Sequence, residues 1–189
     1  MAKIDNKRQA IFDATMELVS EHGFHKTSMS MIIKRSGVCS GSIYHYFKGK
    51  DEIIVELYKE LKQKAARYYM SDHVPDEPTG MQLRKIVRNY FRYTAQNPKA
   101  TAFKSQFISS PYMTAELEAE TLAYFSGFTE IFEKAQRESL LKGLPKPVVG
   151  VFLIDVSNGL VNQASLGNLE LTEELIEAVT ESVWQAISA

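Results

Sequence analysis

The chain has 189 residues, of which 44% are apolar and 24% charged, with a formal net charge of −1. That length can bury a substantial core, and the composition excludes a disordered tail, a collagen-like repeat and a small disulfide-stapled scaffold. The charge is split along the chain: residues 1–50 carry eight Lys or Arg against four Asp or Glu, while residues 71–189 carry ten against fifteen, so a modestly basic head precedes an acidic body.

The opening MAKIDNKRQAIFDA lacks the apolar core and small-residue cleavage site of a secretory signal. The single cysteine, Cys39, has no internal partner, and the longest aliphatic run, Val148–Ile154, is far short of the roughly 20 residues a bilayer span needs. A cytoplasmic chain with no membrane association is expected.

Helical spacing of Ile11, Leu18 and Val19 predicts a first helix over 6–21, with Gly23 as its C-cap. Thr27 or Ser28 can cap a short second helix holding Met29, Ile32 and Ile33, which Gly37 stops. A third short helix runs from about Ser40 to Phe47 with Ile43, Tyr46 and Phe47 inward. A long helix follows over 51–70, striped by Ile54, Leu57, Tyr58, Leu61, Ala65 and Tyr68. After the loop at 73–80, helices are predicted over 81–95 and 99–108, separated at Pro98. One long helix is expected over 114–141. The last two span about 147–166 and 172–187, the latter capped by Thr172. No alternating strand pattern, internal repeat or low-complexity tract is present. The expected fold is all-α with about nine helices, divided into residues 1–50 and 51–189.

Function concentrates in residues 27–50, TSMSMIIKRSGVCSGSIYHYFKGK. Two short helices joined at Gly37-Val38 have the proportions of a helix-turn-helix. Ile32, Val38, Ile43 and Tyr46 can pack them across each other. Outward, the second presents Ser40, Gly41, Ser42, Tyr44, His45 and Lys48, a small and polar face suited to a major groove about 12 Å wide.

The local order EHGFHKTS at 21–28, the Gly37-Val38 turn and GSIYHYFKGKDEI at 41–53 resembles the TetR family of transcriptional regulators. The motifs cover about the first 55 residues; the remainder is similar only in helix count and arrangement. The resemblance implies a homodimeric, ligand-responsive DNA-binding protein, usually a repressor of a double-stranded operator, with no cofactor. It places phosphate contacts on Thr27 or Ser28, Tyr44, His45 and Lys50, and base contacts on Ser40, Gly41, Ser42 and Tyr44. Hydroxyl, imidazole and ammonium groups suit phosphate oxygens. Two positions depart from the pattern. Ile33 stands where a small residue usually allows the helices to cross, and Cys39 replaces the usual Ser or Thr cap, leaving Ser40 as an alternative cap.

In the body, aromatics spaced four apart suggest helices around an apolar cavity. Tyr90, Tyr93, Phe103, Phe107, Tyr124, Phe128 and Phe132 are the candidate lining, with Gln106, Asn158 and Asn162 as polar groups. Few charged residues lie in these stretches, which points to a small apolar or weakly polar effector. Leu160, Ala164, Val179, Val183, Trp184 and Ile187 on the last two helices suit a four-helix bundle with a second subunit. No HExxH, Cys/His metal spacing or Gly-rich phosphate loop accompanies them, so an enzyme is not expected. The alternative is a helical protein-interaction module, for which the polar face of 40–48 would be coincidental.

Overall fold

Apolar stripes and the breakers between them divide the chain into ten helices within residues 2–189, the range described by the computed structural model. They are α1 (Ala2–Lys26), α2 (Met29–Ser36), α3 (Ser40–Tyr46), α4 (Lys50–Tyr69) and α5 (Thr79–Gln96), followed by α6 (Pro98–Ile108), α7 (Ala115–Ala123), α8 (Ser126–Arg137), α9 (Lys146–Ser165) and α10 (Glu173–Ile187). No sheet occurs among the described residues, which hold only one isolated bridge, Leu141 to Ser188. The fold is all-α.

The helix signals act where the sequence places them. Ser28 caps α2 by accepting from the Met31 N–H at 3.3 Å, and Thr172 caps α10 by accepting from Leu175 N–H at 3.2 Å. Gly37 terminates α2 at φ 66°, a left-handed conformation that a Cβ would strain. Gly23 interrupts α1 at φ 73° and ψ 171°, and a last turn follows before the chain reaches Thr27.

The largest difference from expectation is the region predicted as one helix over 114–141. It is two helices, α7 and α8, joined at Tyr124-Phe125. The Phe125 N–H bonds back to Leu122 O at 3.0 Å, tightening the turn, and the Phe125 ring approaches Tyr69 at 5.8 Å. Across this break Leu117 packs in the core beneath the head, and the Phe125 ring packs against the body core. This break raises the helix number from about nine to ten.

Two apolar cores share α4. The first gathers Ile11, Phe12, Leu18 and Val19 of α1, Ile32, Val38, Ile43 and Phe47 of the next two helices, and Phe103 and Phe107 of α6 around Ile53, Ile54, Leu57 and Tyr58. The second packs Ala65 and Tyr69 with α5, α8, α9 and α10. Ile33, the departure in α2, is half-buried against the first core.

Head and body meet in an aromatic cluster. The Phe24 ring meets Phe103, Phe107 and Tyr112 at 5.5, 6.2 and 5.6 Å, and Tyr58 stacks on Phe107 at 4.0 Å with an interplanar angle of 8°. Phe107 is fully buried. Replacing it by alanine removes the stack and leaves a cavity, so Phe107→Ala is expected to lower stability by about 3–5 kcal/mol in urea unfolding.

Candidate functional site

The first core holds α2 and α3 against α1, and the opposite side of α3 faces solvent. Ser40, Gly41, Tyr44, His45 and Lys48 are exposed, with Tyr44 at 53%. Exposure of a tyrosine beside a fully buried Ile43 is the amphipathic division that a groove-entering helix requires. Between Glu21 and Asp51 the sequence has no carboxylate, whereas Lys26, Lys34, Arg35, Lys48 and Lys50 fall within it. The surface is thus free of acidic side chains from its own segment, which suits a polyanion.

Several predicted contacts are already engaged. Thr27 is buried, and its hydroxyl donates to Gly23 O at 2.9 Å, locking the turn after the α1 break; of Thr27 and Ser28, only Ser28 retains surface. Lys50 donates from Nζ to Phe24 O at 3.1 Å, so it ties the start of α4 to the end of α1. Ser42 Oγ accepts from Lys7 Nζ at 3.2 Å and lies 3.1 Å from Cys39 Sγ. Cys39, not Ser40, is the N-cap of α3, and its side chain caps no N–H. Hydrogen bonding to Ser42 lowers the Cys39 thiol pKa from its ordinary value. Lys7 is a basic group beside α3 that the motif did not reveal; the cluster of Lys3, Lys7 and Arg8 was its only signal.

In the body a cavity of about 350 Å³ lies among α4 to α9. This is within the usual size of small-molecule sites. Four of the predicted lining residues are there: Tyr90, Phe128, Phe132 and Asn158. Tyr58, Tyr69 and Phe125 add further rings, and the exposed Ile108, Leu122 and Ile154 place an opening towards the surface. The Tyr90 hydroxyl and Ser157 Oγ are 3.2 Å apart, and Ser157 donates to Ile154 O at 2.9 Å. Burial raises the Tyr69 and Tyr90 pKa values, keeping both phenols neutral.

Six predicted lining residues are elsewhere. Phe103 and Phe107 belong to the head–body cluster, because α6 turns that face towards Phe24. Tyr93 packs on Tyr68 and Tyr69 at 5.4 and 5.8 Å. Gln106 and Asn162 are exposed, and Tyr124 donates to Glu120 at 3.0 Å outside the cavity. The expected scarcity of charge also fails: Lys62, Lys104 and Lys146 all reach the lining. Lys146 pairs with Glu133 at 3.2 Å. Burial, followed by the field of Lys62, pulls the Lys104 pKa down to about 8.

The predicted dimer residues divide as well. Val183 and Ile187 are buried within the protomer's second core, so they are not surface groups. Leu160, Val179 and Trp184 pack partly against that core, and Ala164 is half-buried. Val148 and Val151 of α9 are exposed apolar side chains outside the predicted set, and Leu166, which the apolar character of the last two helices already suited to the same bundle, is exposed just beyond α9. No cluster of metal-ligating side chains occurs among the described residues, and no helix is long and apolar enough to cross a membrane.

Two family models match the chain: the bacterial regulatory proteins of the tetR family over residues 11–57, and the tetracyclin repressor-like C-terminal domain over residues 78–188. An HTH-type transcriptional regulator of Haemophilus influenzae is 26% identical over 186 residues, covering 98% of this chain and 97% of that protein. The fatty acid metabolism regulator protein of Bacillus subtilis is 44% identical over 90 residues, covering 47% of this chain and 46% of its own. The crystal structure of a TetR family transcription regulator from Marinobacter aquaeolei superposes with a TM-score of 0.90 at 24% identity, covering 99% of this chain and 98% of that one. Helix-turn-helix head, helical body and both family matches agree: the chain belongs to the TetR family of bacterial transcriptional regulators and is a regulator, not an enzyme.

Proposed function

We propose that the chain is a ligand-responsive repressor, acting in the cytoplasm as a homodimer on a palindromic duplex operator and released by a small, largely apolar effector. Residues 1–50 are its DNA-binding head, and residues 51–189 its effector and dimerisation body. On the head, Ser40, Gly41, Ser42 and Tyr44 are assigned to base edges, and Ser28, Tyr44, His45, Lys48 and Lys7 to phosphates. Gly41 brings the α3 backbone close to the groove, with open space where a Cβ would stand.

The observation that carries this reading is the course of α4. Its first residue, Lys50, holds the Phe24 carbonyl; two turns on, Tyr58 lines the cavity and stacks on Phe107, which meets Phe24. Head and cavity therefore share one rigid element and one ring cluster. An occupant pressing on Tyr58 favours a different packing of Phe107 and Phe24, and with it a different tilt of the head. Repression and release follow as a population shift between head spacings that match the operator and those that do not.

Dimerisation is assigned to the α9–α10 side. Val148, Val151, Asp155, Gly159, Asn162 and Leu166 recur three or four apart and are all exposed, forming one face turned away from the cavity-lining side chains Val149 and Leu153. A two-fold partner there would set the two reading helices about one DNA turn apart.

Selection of duplexes from a random library is expected to enrich a palindrome with half-sites about 34–36 Å apart, bound with steep salt dependence. Absence of enrichment at low salt would overturn the repressor reading. Tyr44→Ala should weaken binding to the selected duplex by about tenfold or more, and Lys48→Ala should reduce the salt slope by about one. The dimer assignment has a separate check in Gly159→Arg, which has open space around its new Cβ. This variant is expected to keep its helical circular dichroism yet sediment as a monomer and lose operator binding.

A further inference from the structure

Two ammonium groups stand at the cavity without a carboxylate in ion-pair contact. Lys62 on α4 and Lys104 on α6 both line it, are both half-buried, and form no ion pair or side-chain hydrogen bond among the described residues. Lys62 Nζ lies over the Phe125 and Tyr58 rings at 4.6 and 5.9 Å, and Lys104 Nζ over Tyr93 at 5.2 Å. Neighbouring lysines are satisfied differently: Lys59 pairs with Glu120 at 2.9 Å and Lys146 with Glu133. Glu118 acts on Lys62 only through its field. The pair repel each other, and burial disfavours the charge on both.

An occupant decides what this arrangement costs. A neutral apolar molecule would strip the remaining water from both ammonium groups and return no hydrogen bond. A cation would be repelled. A multiply charged metabolite would set most of its charge against Tyr69, Phe125, Phe128 and Phe132. A single anionic head beside the two lysines, with an apolar body among these rings, satisfies both halves of the cavity.

We propose that the effector is an amphipathic monoanion, its carboxylate held by Lys62 and Lys104 and its hydrocarbon or ring body among the aromatic side chains. The inference deepens the ligand-responsive reading and rests on it.

The test uses three probes with one tail: dodecanoate, dodecanol and dodecyltrimethylammonium, each below its micellar concentration. Calorimetric titration of the full chain reads binding, and release of the selected duplex is followed in parallel. Dodecanoate is expected to bind at least about tenfold more tightly than dodecanol, and the ammonium probe not to bind. The double variant Lys62→Met/Lys104→Met should lose that preference while still binding dodecanol, which also shows that its cavity is intact. The Lys62→Arg/Lys104→Arg variant should retain the preference. Equal binding of dodecanol and dodecanoate, persistence of the preference in the methionine variant, or no binding of any probe overturns the inference. Anion-selective binding with no release of DNA supports the inference and defeats the ligand-release reading. Equal release of DNA by dodecanol and dodecanoate does the reverse.

Discussion

The contact on which the rest depends is the ring cluster at the end of α1, where Phe24 is held by Phe103, Phe107 and Tyr112, and Phe107 by the parallel face of Tyr58. A three-helix head of about fifty residues is too small to bury its apolar surface alone with much margin. It gains that burial from α4 and α6, and in doing so fixes its orientation on the body. Close-packed rings do not absorb a displacement locally, since a neighbour must move or a void must open. The interaction that stabilises the head is therefore also the one able to report what happens behind Tyr58.

Polar contacts refine this junction. Tyr112 donates to Asp51 at 2.8 Å and Lys50 to the Phe24 carbonyl, so the first turn of α4 is tied to both sides of the cluster. Arg8 reaches Glu56 and Glu60 on α4, and Lys99 of α6 reaches Glu17 on α1. Such partly exposed pairs contribute little energy individually. Their arrangement matters more: the carboxylates Glu17 and Glu21 of α1 are engaged by Lys99 and Arg35, so they are tied to α6 and α2.

The body shows a different use of charge. Burial of phenols, aliphatic side chains and rings would alone make a cavity for any oily molecule, and aromatic spacing in the sequence suggests as much. Lys62 and Lys104 change that chemistry because a cation in low dielectric needs an opposite charge or water. Both sit within helices whose sequence neighbours give no hint of a binding role. Lys62 reads as a solvated position on α4, and Lys104 as a polar residue between Phe103 and Ser105.

Helix periodicity, caps and breakers determined by themselves that this chain is all-α, where most helices begin and end, and that two short helices meet at a turn around Gly37; the resemblance to the TetR family came separately, from the residue runs within 21–53. These are local properties: a stripe of Ile and Leu, a Ser or Thr before a helix, a glycine in a left-handed turn. Tertiary structure decided what depends on partners remote in the chain. It broke 114–141 at Phe125, turned Thr27 inward, and assigned Phe103 and Phe107 to the head junction and not the cavity. It also buried Val183 and Ile187 in the protomer and brought two lysines 42 positions apart to one cavity. An aromatic or aliphatic stripe specifies that a face will be buried; only the packing of whole helices specifies against what.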